Sequence, residues 1–153
     1  GLSSVQVDGV VVGAGAVVNA VGDVVNKDGS VLAGARRTDG RWLVEENPYR
    51  KFPELPPTPV STNTTLVVLF TSAKLSKIEA HRLAQRAHDG FAIAIRPVHT
   101  THDGDTAYAL ATGQVEASFD LVANVAVEVV AEAIRNGVRQ AQSVGLVPGL
   151  ASA

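Results

Sequence analysis

Valine and glycine dominate the opening of the chain. Residues Ser4 to Val25 read SVQVDGVVVGAGAVVNAVGDVV, β-branched material of the kind that fills a sheet interior, and this predicts one or two strands. Asn26 to Ser30 is a polar turn centred on Asp28-Gly29, and Val31-Leu32-Ala33 reads as a short returning strand. The pattern then breaks. From Gly34 to Asn63 the chain is polar and holds Pro48, Pro53, Pro56, Pro57 and Pro59. A stretch of that length without periodicity is uncommon inside a compact domain, so it predicts a surface linker. Thr64 to Thr71, TTLVVLFT, is too short for a helix and rich in β-branched residues, which predicts a buried strand. Ser76 and Glu79 have the spacing of a capping box, and Ala80, Leu83, Ala84, Ala87, Phe91 and Ile95 recur at three and four to give a helix with one buried face, ended by Pro97. A turn at Asp103-Gly104-Asp105 leads to a strand over Ala107 to Ala111. A second helix then runs from about Ser118 to Gln142, with Leu121, Val122, Val125, Val129, Ala133 and Val138 on its packing face. No internal repeat interrupts this order.

Composition narrows the possible chemistry. A chain of 153 residues fits one domain that buries about 70% of its unfolded surface. With 46% hydrophobic and 18% charged residues it is not a disordered chain. The formal charge is −2 and no Lys/Arg cluster exists that would neutralise a row of phosphates, so nucleic acid is excluded as a partner. There are no cysteines, which removes disulfides, thiolate metal sites and a Cys nucleophile and leaves Ser, Thr, Lys or carboxylates for hydrolytic work. No run reaches the roughly 18 apolar residues of a membrane span, and the first residues lack a basic region followed by an apolar one. The expectation is a soluble, cytoplasmic chain with no membrane partner. The absence of methionine fits a trimmed initiator, a fragment or a processed chain.

Three places hold candidate chemistry. At Asn63-Thr64-Thr65 the Pro-rich stretch runs straight into the buried strand. A hydroxyl residue there becomes an N-terminal nucleophile if the bond before it is cut, because a freed α-amino group, with a pKa of about 7.7 to 8.0, can take the hydroxyl proton of its own residue. The other reading is that Thr64 and Thr65 simply start a β-branched strand. His99-Thr100-Thr101-His102-Asp103-Gly104-Asp105-Thr106 places two carboxylates around a glycine. They can orient a nucleophile or its amine; a metal site drawn from His99, His102, Asp103 and Asp105, or a plain Asp-Gly turn, stays open beside that reading. Asn19 stands alone among apolar residues, either as a structural hydrogen-bonding group or as an oxyanion donor. His81 and His88 lie on the first helix, where a surface or cap role is the simpler reading. Gly13-Ala14-Gly15 lacks the full dinucleotide fingerprint.

Taken together, GAVVNAVGDVV around Asn19, NTTLVV from Asn63, AHRLAQRAHDGFAIAIRPVHT and HDGDTAYALATG resemble the family that contains the nylon-oligomer hydrolases and the L-aminopeptidase/D-esterase or β-peptidyl aminopeptidases. The resemblance implies an α/β (α+β) fold, an αββα sandwich of the N-terminal-nucleophile-hydrolase kind. It implies a single domain over residues 1–153: residues 1–63, with the linker over 34–63, would be the C-terminal part of a larger subunit, and self-cleavage between Asn63 and Thr64 would release residues 64–153 as the smaller one. Thr64 matches the nucleophile, Asp103 and Asp105 the acidic pair of the nylon-hydrolase branch, and Asn19 the oxyanion-hole Asn. The aminopeptidase branch typically has Ser with a Ser/Glu pair, so Thr64 and two Asp point to the nylon branch. The family also has a long preceding segment, supplying a catalytic Lys or Tyr and much of one sheet, which these residues do not include. The resemblance thus implies a hydrolase of linear amide bonds acting on 6-aminohexanoate oligomers without cofactor or metal, as a homo-oligomer and plausibly a tetramer. The alternatives are an aminopeptidase on short peptides and a non-catalytic fragment of the same fold.

Overall fold

In the computed structural model, which describes residues 1–36, 39–42 and 63–152, the valine-rich opening resolves into three strands, β1 (Leu2–Val7), β2 (Val10–Asn19) and β3 (Asp23–Val25). The hairpin between the first two turns on Asp8-Gly9, whose φ angles of 48° and 79° are those of the primed turn that matches strand twist. Further along the chain lie β4 (Val31–Ala33), β5 (Thr64–Ala73), α1 (Lys77–Ala94), β6 (Ile95–Arg96), β7 (Thr106–Val115) and α2 (Phe119–Arg139).

The main sheet has the order β1-β2-β5-β7; its first two pairings are antiparallel and β5 runs parallel to β7. That parallel pairing requires a crossover, which α1 supplies. Along β5 the side chains alternate strictly: Thr65, Val67, Leu69, Thr71 and Ala73 are buried, while Leu66, Val68 and Phe70 are exposed. The buried set meets Val10, Val12 and Ala14 of β2 and the inner faces of both helices in one core. On α1 that inner face is Leu83, Ala87, Gly90, Phe91 and Ala94. The predicted capping box is present, with Ser76 Oγ accepting from the Glu79 amide at 3.2 Å and Glu79 Oε2 accepting from the Ser76 amide at 2.8 Å.

The end of α1 differs from expectation. Ile95 belongs to a strand, not to the helix face, and pairs with Val24 while Arg96 pairs with Asp23. Arg96 precedes Pro97, and the proline ring disfavours helical backbone at the residue before it; the β-branched Ile95 takes a ladder partner instead. The resulting small sheet, β4-β3-β6, is tied to the helices by Arg135. This guanidinium, 2% exposed, donates from Nε to the Val25 carbonyl at 2.8 Å and from Nη2 to the Ile93 carbonyl at 3.0 Å.

Both helices cover the same face of the main sheet, so the described residues supply one helical and one sheet layer of the expected αββα sandwich. The other face carries Val17, Leu66, Val68, Phe70, Tyr108 and Leu110, all exposed. The Phe70 ring covers Gly13: a Cβ built there would stand 2.1 Å from it. Gly13 is therefore a packing glycine. Most of the linker expected over 34–63 lies outside the described residues, though Arg36 and Trp42 within it form an isolated antiparallel bridge with the guanidinium 4.1 Å over the indole. No helix among the described residues is long and apolar enough to cross a membrane.

Candidate active site

Thr64 is the first residue of β5, and the β2–β5 register sets it directly opposite Asn19. Partners that face each other across two strands project to the same side, so Asn19 and Thr64 stand together at one end of the open sheet face. Strand alternation separates Thr64 from its neighbour. Thr64 is half-buried on the open side, whereas Thr65 points into the core at 0% exposure.

A second chain segment closes on this point. Asn63 bridges to Asp103 in parallel register, and the Gly104 amide donates to the Asn63 carbonyl at 2.9 Å. The Thr64 hydroxyl donates to the same oxygen at 2.6 Å. Two donors thus polarise the carbonyl of the Asn63–Thr64 peptide bond, the arrangement that stabilises negative charge developing on a carbonyl oxygen. Gly104 is required for it, because a Cβ at that position would stand 2.8 Å from Thr64 Oγ.

Asp103 and Asp105 take different partners, each on a segment beside the Asn19–Thr64 pair. Asp103 Oδ1 accepts from the Val21 amide at 3.0 Å, and its Oδ2 accepts from the Thr100 hydroxyl at 2.6 Å and the Thr100 amide at 3.2 Å. Asp105, with a side chain 3% exposed, accepts from the Thr65 amide through Oδ1 at 2.8 Å and meets His99 Nδ1 through Oδ2 at 2.8 Å. Both carboxylates anchor the backbone around the hydroxyl; neither forms its bond to the hydroxyl itself among these contacts.

His88, for which the sequence favoured a surface or cap role, is half-buried instead. It leans from α1 onto His99, with Nδ1 and Nε2 3.0 Å apart, and its ring stacks on Phe91 at 5.2 Å between centroids. Burial, and then the neighbouring His99, hold its pKa below the usual histidine value. The one available sequence signal was its place one helical turn before Phe91. His81 is exposed on α1. Among the described residues no group of three or more His, Asp or Glu is placed to hold a metal ion.

A model of peptidase family S58 matches residues 1–150. An uncharacterized aminopeptidase of Mycobacterium leprae is 39% identical over 132 residues, 77% of this chain and 33% of the relative. The 6-aminohexanoate-oligomer endohydrolase of Paenarthrobacter ureafaciens is 30% identical over 105 residues, 65% of this chain and 29% of that protein. The chain thus spans about a third of the length of the curated relatives it matches. The solved structure of L-aminopeptidase D-Ala-esterase/amidase from Ochrobactrum anthropi aligns with a TM-score of 0.63 at 21% identity, over 97% of this chain and 42% of that one. The last comparison shows the fold, an α/β fold of the N-terminal-nucleophile hydrolase type.

Proposed function

The chain belongs to peptidase family S58, and from that membership we propose that Thr64 is the nucleophile of a self-processing amide hydrolase. The observation that carries this reading is the convergence of the Thr64 hydroxyl and the Gly104 amide on the Asn63 carbonyl oxygen. In the first reaction Thr64 Oγ attacks the carbonyl carbon of Asn63 while the Gly104 amide supports the charge on its oxygen. The C–N bond breaks as the Oγ proton passes to the departing Thr64 nitrogen, the acyl group is left on Oγ as an ester, and water hydrolyses the ester. Asn63 is left with a carboxylate and Thr64 with a free amine.

That amine, with a pKa of about 7.7 to 8.0, then serves as base for turnover. It takes the Oγ proton as Oγ attacks a substrate amide and returns it to the leaving amine; water resolves the acyl-enzyme. Asn19, opposite Thr64, supplies an amide donor to the substrate oxyanion, and Asp103 and Asp105 hold the backbone that aims the hydroxyl. Residues 1–63 and 64–153 would remain together as the two products of one fold, in a homo-oligomer of processed protomers.

Linear amide oligomers of the 6-aminohexanoate type are the substrate class that Thr64 with Asp103 and Asp105 favours. The aminopeptidase reading has its own support, since the mycobacterial relative named as an aminopeptidase is more similar, at 39% against 30% identity. Hydrolysis of free and amine-blocked oligomers separates the two, because an aminopeptidase needs the free amine. Self-processing is tested by denaturing electrophoresis with N-terminal sequencing: two bands are expected, the smaller beginning TTLVVLFT. A single uncleaved band with normal amide hydrolysis would defeat the proposal, since an acylated Thr64 nitrogen has no basic lone pair.

A further inference from the structure

We infer that His99, backed by His88, is a positioning residue that locks the Asp105 carboxylate onto the Thr65 amide of β5 and so aims Thr64. The inference rests on the Thr64 nucleophile reading and assigns a role to two side chains outside it. Asp105 has two oxygens and each is committed: Oδ1 to the Thr65 amide and Oδ2 to His99 Nδ1, both at 2.8 Å. An ionised carboxylate only accepts, so His99 must carry its proton on Nδ1. In the neutral ring Nε2 is then a lone pair, and His88 completes the 3.0 Å contact by donating from its own Nδ1. One carboxylate therefore sets the tautomers of two rings in series, from Thr65 through Asp105 and His99 to His88.

Two further features show the chain of bonds to be held in place. His99 has φ of 53°, left-handed backbone that is uncommon for a residue with a side chain and that persists where surrounding contacts over-determine it. Phe91, fully buried, lies against both rings, with centroids 5.2 Å from His88 and 5.5 Å from His99. The core thus fixes the far end of the series and the nucleophile's strand its near end. A loss of His99 would leave Asp105 Oδ2 buried without its donor and free the carboxylate to turn away from Thr65.

The test compares wild-type protein with His99→Ala, His99→Asn and Thr64→Ala, measuring kcat, KM, extent of self-cleavage and Tm, with ring-nitrogen NMR on the wild type and on Asp105→Ala. His99→Ala should lower kcat about 10- to 100-fold with KM changed less than about twofold, as expected for misaimed reacting groups, and shift Tm by less than about 4 °C. His99→Asn should recover most of kcat, because its amide N–H can replace Nδ1–H and Asn tolerates left-handed backbone. NMR at alkaline pH should find His99 as the Nδ1–H tautomer in the wild type and mainly Nε2–H in Asp105→Ala. A folded His99→Ala protein with wild-type kcat, or an Nε2–H tautomer at His99 in the wild type, overturns the inference. Turnover by Thr64→Ala would instead remove the nucleophile reading, and the tautomer measurement still decides whether Asp105 holds His99.

Discussion

Thr64 and Thr65 are adjacent and chemically identical, yet the pleat gives them opposite surroundings. The Thr64 hydroxyl meets the Asn63 carbonyl on the open face, whereas Thr65 Oγ is buried with no hydrogen-bond partner among the described residues. Thr64→Ala should abolish self-cleavage and hydrolysis, and Thr64→Ser should keep part of each. Thr65→Val removes a buried hydroxyl at nearly constant shape, so denaturant unfolding should find stability unchanged or raised by up to about 1 kcal/mol, with processing intact. Loss of processing in Thr65→Val and its retention in Thr64→Ala would reverse the assignment. Gly104 is a second residue-scale test, since a methyl 2.8 Å from Thr64 Oγ must push the hydroxyl off the carbonyl. Gly104→Ala should slow self-cleavage by about 100-fold in a time course of band formation, with little change in Tm. The candidate residues Asn19, Thr64, Asp103 and Asp105 were legible from residue type and resemblance. Gly104 was not, because its part is played by a backbone N–H and by the lack of a side chain.

Elements were legible where their signals are local. The capping box at Ser76 and Glu79 placed the start of α1, and the β-branched run from Thr64 placed β5, because a cap and a strand pattern act within a few residues of each other. The end of α1 was not, since Ile95 continues the helical spacing and only its pairing with Val24 draws it into a strand. Gly13 is another case: as sequence it belongs to an incomplete dinucleotide fingerprint with no assigned part, and as structure it is the floor beneath Phe70. Gly13→Ala should displace that ring at a cost of no more than about 1 kcal/mol, because Phe70 lies on the exposed face and can swing aside. The cost should shrink in a Phe70→Ala background, measured as a double-mutant cycle; full additivity would show that Gly13 is needed for some reason other than the ring.

At the scale of the molecule, the loop bearing Asp103 and Asp105, the α1–β6 corner and the hairpin strand β2 meet at one end of the sheet. Folding therefore carries a pH dependence. Burial and His99 lower the pKa of His88 in the native state, so below its unfolded value of about 6.5 the unfolded chain binds more protons than the native one. Stability should be level above that pH and fall as pH drops through it. Thermal unfolding across this range should show the fall, and His88→Phe, which keeps a ring over Phe91, should flatten it. An unchanged slope in His88→Phe would place the titrating group elsewhere.

Apart from the end of α1, strand, turn and helix positions, the lack of thiol chemistry and the Thr-plus-two-Asp resemblance are set by the order of residues, because periodicity, caps and side-chain type are local or compositional properties. Tertiary structure alone decided which of two threonines faces the open side, that Asn19 stands opposite it, and that a glycine amide and two histidines complete the surroundings. Those facts depend on strand register and on contacts between segments far apart in the chain. Register is a property of the pairing, and a slip of one residue would have sent Thr64 into the core and Thr65 to the open face.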